Sequence, residues 1–209
     1  GDSVLVIDPG SHGRYAGEAT ITFGAAGAMI RGENVPMSDY DPSEALMEKF
    51  APEYKIVSAY LEDTITWLAE EIRGLDALFG PSSMMTLIHS LQREMTDAQI
   101  SFTAPLSISA ELPEGPLLVS DMFKLYRFEN MLYRMELSGA EIDGFLEHAV
   151  GPWFNTMSGP EDHLLQFSPD RPGRLAAPYY NFSSAAGINY TVDVRRAPGN
   201  RVNIETLSD

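Results

Sequence analysis

Tyr126-Arg127-Phe128-Glu129-Asn130 places an aromatic ring two positions before a carboxamide. A planar ring can stack on a nucleobase. An Asn side chain carries a donor and an acceptor and can read a base edge. Phe128 and Asn130 are therefore the candidate ligand-binding pair. The plainer alternative is that Phe128 packs beneath its loop and Asn130 closes a turn, because aromatic side chains build core more often than ligand platforms.

The rest of the chain offers little reactive chemistry. Metal-assisted phosphoester hydrolysis needs Asp, His and Asn clusters holding two ions about 4 Å apart. No Asp-x-His, Gly-Asn-His-Asp or Gly-His-x-His run is present. His12 sits in a Gly-rich turn, His89 and His148 fall within helical patterns, and His163 follows two acids. Asp8 and His12 are close in sequence but match no ligand spacing. With no cysteine, thiolate ligands, thiol nucleophiles and disulfides are excluded. No Gly-x-Ser-x-Gly elbow supports a serine nucleophile. No catalytic residue and no metal ligand is assigned.

The elements that must hold the aromatic loop are readable on both sides. Leu117 to Val119 predicts a strand, and Ser120-Asp121 a cap for a short helix, Met122 to Leu125. Met131 to Leu137 alternates and predicts a strand. Ser138-Gly-Ala-Glu141 is a capping box opening a helix to about Val150. Upstream, Ser82 or Ser83 can cap a helix to about Glu94, followed by a strand over Ile100 to Thr103. Downstream, residues 151–178 hold five prolines and read as loop, with His163-Leu164-Leu165 as a short strand. Ile188 to Val194 predicts a strand that Arg201 to Thr206 can pair across Pro198-Gly199-Asn200.

The N-terminal third has a different texture. Val4 to Ile7 predicts a short strand ended by Asp8-Pro9-Gly10. Tyr15 to Phe23 predicts another, turning at Gly24 to Gly27 into Ala28 to Gly32. Residues 33–42 suit a linker. From Pro42 to Gly74 the apolar spacing predicts helix, broken or restarted at Pro52.

The chain has 209 residues and 44% hydrophobic content, enough for one good core. Thirty acidic against 14 basic residues give a net charge of −16. That disfavours binding to a nucleic acid polymer or an anionic membrane. A small anionic ligand remains compatible, because a local cluster can override the global field. No apolar run is long enough to span a bilayer. Gly1-Asp2-Ser3 leads straight into apolar sequence without the pattern of a signal peptide, as expected for a piece of a longer protein.

The order of these elements resembles the C-terminal, substrate-binding domain of the 5′-nucleotidase / 2′,3′-cyclic phosphodiesterase family. That family's pattern has a capped helix, a strand ending in Thr-Asn-Gly-Gly-Gly-Ile-Arg, a short Asp-led helix, a Pro-Phe-Gly-Asn loop and a helix opened by Leu-Thr-Gly. The counterparts here are Ser83 to Glu94, Thr103 to Ser109, Ser120 to Leu125, Arg127 to Asn130 and Leu137-Ser138-Gly139. Ser184 to Asp193 resembles the family's Val-Ser-Gly-Leu-x-Tyr-x-x-Asp strand. Gly10-Ser-His-Gly-Arg-Tyr-Ala-Gly17 looks like the last strands of its metallophosphatase domain.

The resemblance implies an α+β fold. A mixed β-sheet, from strands near 100, 131, 188 and 201, is packed by helices near 83 and 138. A β hairpin and a linker helix precede it. The implied domains are 1–35, the last strands of a metallophosphatase-like domain; 36–76, the linker helix region; and 77–209, the substrate domain, shortened at its C-terminus. Phe128, Asn130, Ser107 and Ser109 are the implied substrate contacts. The implied activity is hydrolysis of nucleotide phosphate esters by two divalent metal ions in a catalytic domain outside this chain, so the chain alone is expected to be inactive. Implied partners are a nucleotide or nucleoside and that N-terminal domain. Implied location is the periplasm or exterior of a bacterial cell.

Two departures temper the match. The family's arginine in Gly-Gly-Gly-Ile-Arg reads Ser109, and a hydroxyl cannot make a guanidinium's bidentate contact. The family's second stacking aromatic lies beyond Asp209, leaving half a base sandwich. A non-catalytic nucleoside-binding or interaction module that kept the fold is the alternative.

Overall fold

The computed structural model describes residues 4–25 and 27–208. Gly1 to Ser3, Ala26 in the expected hairpin turn, and Asp209 lie outside the described residues. The chain divides into two units, Gly1–Ser58 and Ala59–Asp209.

In the first unit, β1 (Tyr15–Gly24) and β2 (Gly27–Pro36) form an antiparallel hairpin. Its register sets Ile21 opposite Ile30 and Phe23 opposite Ala28 on one face. Val4 to Ile7 forms no strand. Instead Leu5 and Ile7 lie over Gly32, where any Cβ would collide with them. Asp8 is tied back by Asn34, whose Nδ2 donates to the Asp8 carbonyl at 2.8 Å. Helix α1 (Glu44–Leu61) runs through Pro52 without interruption, where a break was expected. No described residue up to Ser58 is buried, because one hairpin and one helix cannot enclose a core.

In the second unit the helix predicted to reach Gly74 is replaced by strands. β3 (Thr64–Leu68) and β4 (Ile72–Arg73) follow α1 directly, then a 3₁₀ turn, Gly74–Leu78. Thr64, Ile65, Thr66 and Trp67 are β-branched or aromatic and suit a pleated strand better than a helix. Next come α2 (Ser83–Thr96), β5 (Ser101–Thr103), β6 (Glu111–Leu112), β7 (Gly115–Leu118), α3 (Val119–Leu125) and α4 (Gly139–Val150). The chain closes with β8 (Ser184–Ala186), β9 (Ile188–Val192) and β10 (Val202–Leu207). Ser82 caps α2, accepting from the Met85 amide at 3.3 Å. The Ser138 and Glu141 capping box opens α4 as expected.

The α+β class holds, but the strands form small antiparallel pairs rather than one mixed sheet: β3 with β7, β4 with β6, β5 with β8, and β9 with β10. Gly187 separates β8 from β9 with φ +88°, and a side chain there would strike the Gln99 carbonyl. His163-Leu164-Leu165 forms no strand, only an isolated bridge from Leu165 to Phe154.

Met131 to Leu137 forms no strand, against expectation. From Arg127 to Leu137 no backbone–backbone hydrogen bond is made among the described residues. Arg134 instead spends its side chain on the Thr96 carbonyl, at 2.8 Å. A groove of about 450 Å³, lined by Ile100 to Phe102 and by Leu132 to Leu137, lies between this segment and β5. A strand's alternation is present, but no ladder forms.

Two cores hold the second unit. Ile72, Met84, Met85, Leu112, Leu117 and Leu125 make one. Leu78, Val150, Trp153, Phe154, Leu165 and Phe182 make the other, with Trp153 stacked on Phe182 at 4.5 Å. Beside the second core, Arg201 is 1% exposed and donates to the Phe154 and Arg196 carbonyls and to Thr156. Glu147 accepts from the Gly199 and Val202 amides, tying α4 to the start of β10.

Candidate functional site

Helix α3 aims the aromatic loop, and Asp121 starts that helix. Asp121 caps from the third helical position, accepting from the Leu118 amide at 2.9 Å and from Lys124 at 2.7 Å. Burial alone would raise its carboxyl pKa; the hydrogen bonds from Lys124 and Leu118 outweigh that and hold it below the usual range. The helix ends where the Tyr126 amide bonds the Met122 carbonyl at 2.8 Å.

Beyond that point the loop is held by side chains. Asn130 Nδ2 donates to the Tyr126 hydroxyl at 2.8 Å, which fixes the amide and leaves its Oδ1 free of protein donors among the described residues. Phe128 is 55% exposed, so it does not pack beneath the loop. The Arg127 guanidinium carbon stands 5.9 Å from the Phe128 ring centroid. The loop thus presents a ring, a carboxamide acceptor and a guanidinium to solvent. The 450 Å³ groove includes neither Phe128 nor Asn130.

The serines of the expected binding loop separate. Ser107 is buried, its carbonyl pressed against Gly74, where no Cβ would fit. Ser109 is exposed. No hydrogen bond among the described residues links either serine to Phe128 or Asn130. Also among the described residues, no group of three or more His, Asp or Glu side chains is placed to hold a metal ion.

Sequence reading missed two features. One is the Tyr126 tether, for which the four-residue spacing to Asn130 was the available signal. The other is the setting of His89. Ser101 Oγ donates its only proton to Gln92 Oε1 at 2.6 Å, so it accepts from His89 Nδ1–H at 3.0 Å. His89 Nε2 then accepts from the Ser184 hydroxyl, also at 3.0 Å. The ring is neutral, with both nitrogens satisfied. Burial first, and the Arg93 charge second, lower its pKa from 6.5 to about 4. This network joins α2, β5 and β8 and serves the fold.

Comparison with known proteins meets this geometry. The sequence pattern described as 5′-nucleotidase, C-terminal domain, matches residues 64–209. The chain belongs to that family. A 5′-nucleotidase-related protein of Glossina morsitans morsitans is 24% identical over 218 residues, covering 97% of this chain and 36% of that protein. A Staphylococcus aureus structure described as a 5′-nucleotidase, solved with alpha-ketoglutarate, superposes with a TM-score of 0.72 at 21% identity. It covers 96% of this chain, which spans 39% of that one. A 5′-nucleotidase precursor from Thermus thermophilus gives a TM-score of 0.55 at 21% identity, over 94% of this chain and 38% of its own. The chain therefore spans less than two fifths of these relatives. At such identities the structural likeness is one of fold.

Proposed function

We propose that this chain is the substrate-binding part of a 5′-nucleotidase-type metallophosphoesterase. Phe128 stacks on the base of a nucleotide, and the Asn130 Oδ1, freed by the Tyr126 tether, accepts from the base edge. Ser109 lies in the loop that the family pattern assigns to the substrate, and Ser107 supports that loop from beneath. Hydrolysis of the phosphate ester takes place in a catalytic domain that supplies two divalent metal ions. Residues 1–35 are the last strands of that domain, residues 36–76 link it, and residues 77–209 form the substrate domain. Relatives more than twice as long, one of them named a precursor, support a two-domain, exported parent.

The observation carrying this reading is the exposed Phe128 ring beside a tethered Asn130, within a chain of this family. Its test is calorimetry with a panel of nucleosides and nucleotides, using Phe128→Ala as control. Binding without phosphate release, weakened by the substitution, is expected. Absence of binding, or indifference to the substitution, contradicts it.

A second reading is favoured by Ser109 in the family's arginine slot: a nucleoside-binding or interaction module without catalytic partner. Reading the gene around this segment separates the two. An intact two-metal domain upstream excludes the second.

A further inference from the structure

We propose that Met131 to Leu137 is a self-association surface, which pairs antiparallel with the same segment of a second copy of this chain. The segment has a strand's alternation, yet it forms no strand. None of its amides or carbonyls enters a backbone–backbone hydrogen bond among the described residues. Met131, Tyr133 and Met135 are 78%, 76% and 69% exposed, against 42% for Leu132 between them. Every second side chain from Met131 to Met135 is thus apolar and open to solvent. Unpaired N–H and C=O groups beside such a row are a template for another chain.

The charges select the occupant and the register. Arg134 and Glu136 stand on either side of Met135. Two copies of the segment, paired antiparallel about a two-fold axis at Met135, set Arg134 opposite Glu136 of the second copy, twice over. Tyr133 then faces Leu137, and Met135 faces itself. Opposite charges directly across a pair of strands stabilise it, and like charges do the reverse. An axis at Arg134 would bring the two arginines face to face, so the charges exclude that register. Glu136 makes no ion pair and no side-chain hydrogen bond among the described residues. Arg134 donates to the Thr96 carbonyl at 2.8 Å, which ties the middle of the segment to the end of α2. A guanidinium carries five N–H donors, so it has others to offer a carboxylate. The net charge of −16 on each copy opposes association, so the dimer is reversible and depends on concentration.

Sedimentation equilibrium across a concentration series tests this on the native chain, on Arg134→Glu, on Glu136→Arg and on an equal mixture of the two variants. The native chain should dimerise. Each variant alone should dimerise roughly tenfold more weakly, because both cross-strand pairs become like-charged. The mixture should recover native strength, since every glutamate at 134 or 136 in one copy then meets an arginine in the other. Glu136→Arg removes no side-chain contact of the fold, so its effect stands even if Arg134→Glu loosens the segment by releasing Thr96. Hydrogen exchange should show alternate amides of Met131 to Leu137 gaining protection with concentration in the native chain, and not in Glu136→Arg. A native chain that stays monomeric, a dimer indifferent to Glu136→Arg, or a mixture no stronger than its components overturns the proposal. So does protection that is independent of concentration, which would place the segment against β5 of its own chain.

Discussion

Acidification should destabilise the second unit through His89 before Asp121, Glu141, Asp162 or Asp193 contributes. The folded protein holds this ring neutral, with a pKa of about 4 against 6.5 for an exposed histidine. A folded pKa below the unfolded one means that the unfolded chain binds the proton first. Stability present above pH 6.5 is therefore lost as pH falls towards 4, and the loss is complete below that. The full difference corresponds to about 3.4 kcal/mol, and by about pH 5 to roughly 2 kcal/mol. The ring is not sealed from water, and solvent screening brings the working figure at about pH 5 to roughly 1 kcal/mol. Four carboxylates act below this window. Asp121, Glu141 and Asp162 are all held below their ordinary values, and Asp193 is held at about 2 by its Arg195 hydrogen bonds; they cost stability only at lower pH. Urea unfolding between about pH 7.5 and 5 measures the loss. His89→Gln should be less stable throughout but flatter across that range. NMR of the imidazole should show the neutral Nδ1–H tautomer at about pH 5.5. A His89 titrating near 6.5 in the folded protein, or a His89→Gln curve parallel to the native one, would mean that the fold does not hold the ring neutral.

Other perturbations follow from the same contacts. Glu147→Ala strips the acceptor from the Gly199 and Val202 amides and should cost about 2–4 kcal/mol in denaturant unfolding, since two part-buried donors lose their partner. Gly187→Ala should cost more than about 2 kcal/mol, because φ is +88° and the added carbon meets the Gln99 carbonyl. Thermal melting of that variant against Gly144→Ala, where a Cβ meets nothing, provides the comparison. Hydrogen exchange should find the amides from Arg127 to Leu137 close to unprotected while those within α4 are slow, because that run makes no backbone–backbone bonds. Protection on alternate amides of Met131 to Leu137 would show that the predicted strand forms after all.

What could be read from the sequence was local. The Ser138–Glu141 box and the Ser82 cap depend on residues three positions apart, and the β9–β10 pairing joins strands that follow one another in the chain; each is found, with β9 ending at Val192. The misread elements depend on distant partners. Ile65, Leu68 and Ile72 sit at spacings that fit a helix as well as strands. The β7 and β6 strands that decide the matter lie about fifty and forty residues on. Met131 to Leu137 shows the opposite failure: alternation states a preference, and a ladder needs a neighbour. At the candidate site, residue type together with the family resemblance singled out Phe128 and Asn130. It could not place Ser107 under Gly74, because that contact crosses from one loop to another. His89 looked isolated because its second serine is 95 residues away.

Contact between the Tyr126–Asn130 loop and a nucleotide is what the proposed function requires. Titration of adenosine 5′-monophosphate into the isotopically labelled chain, followed at the Phe128 and Asn130 amides, tests that directly. Saturable shifts are expected at Phe128, Asn130 and Arg127, and they should vanish in Phe128→Ala. Saturation confined to other residues, or no shift on this loop at any concentration, contradicts the proposed function.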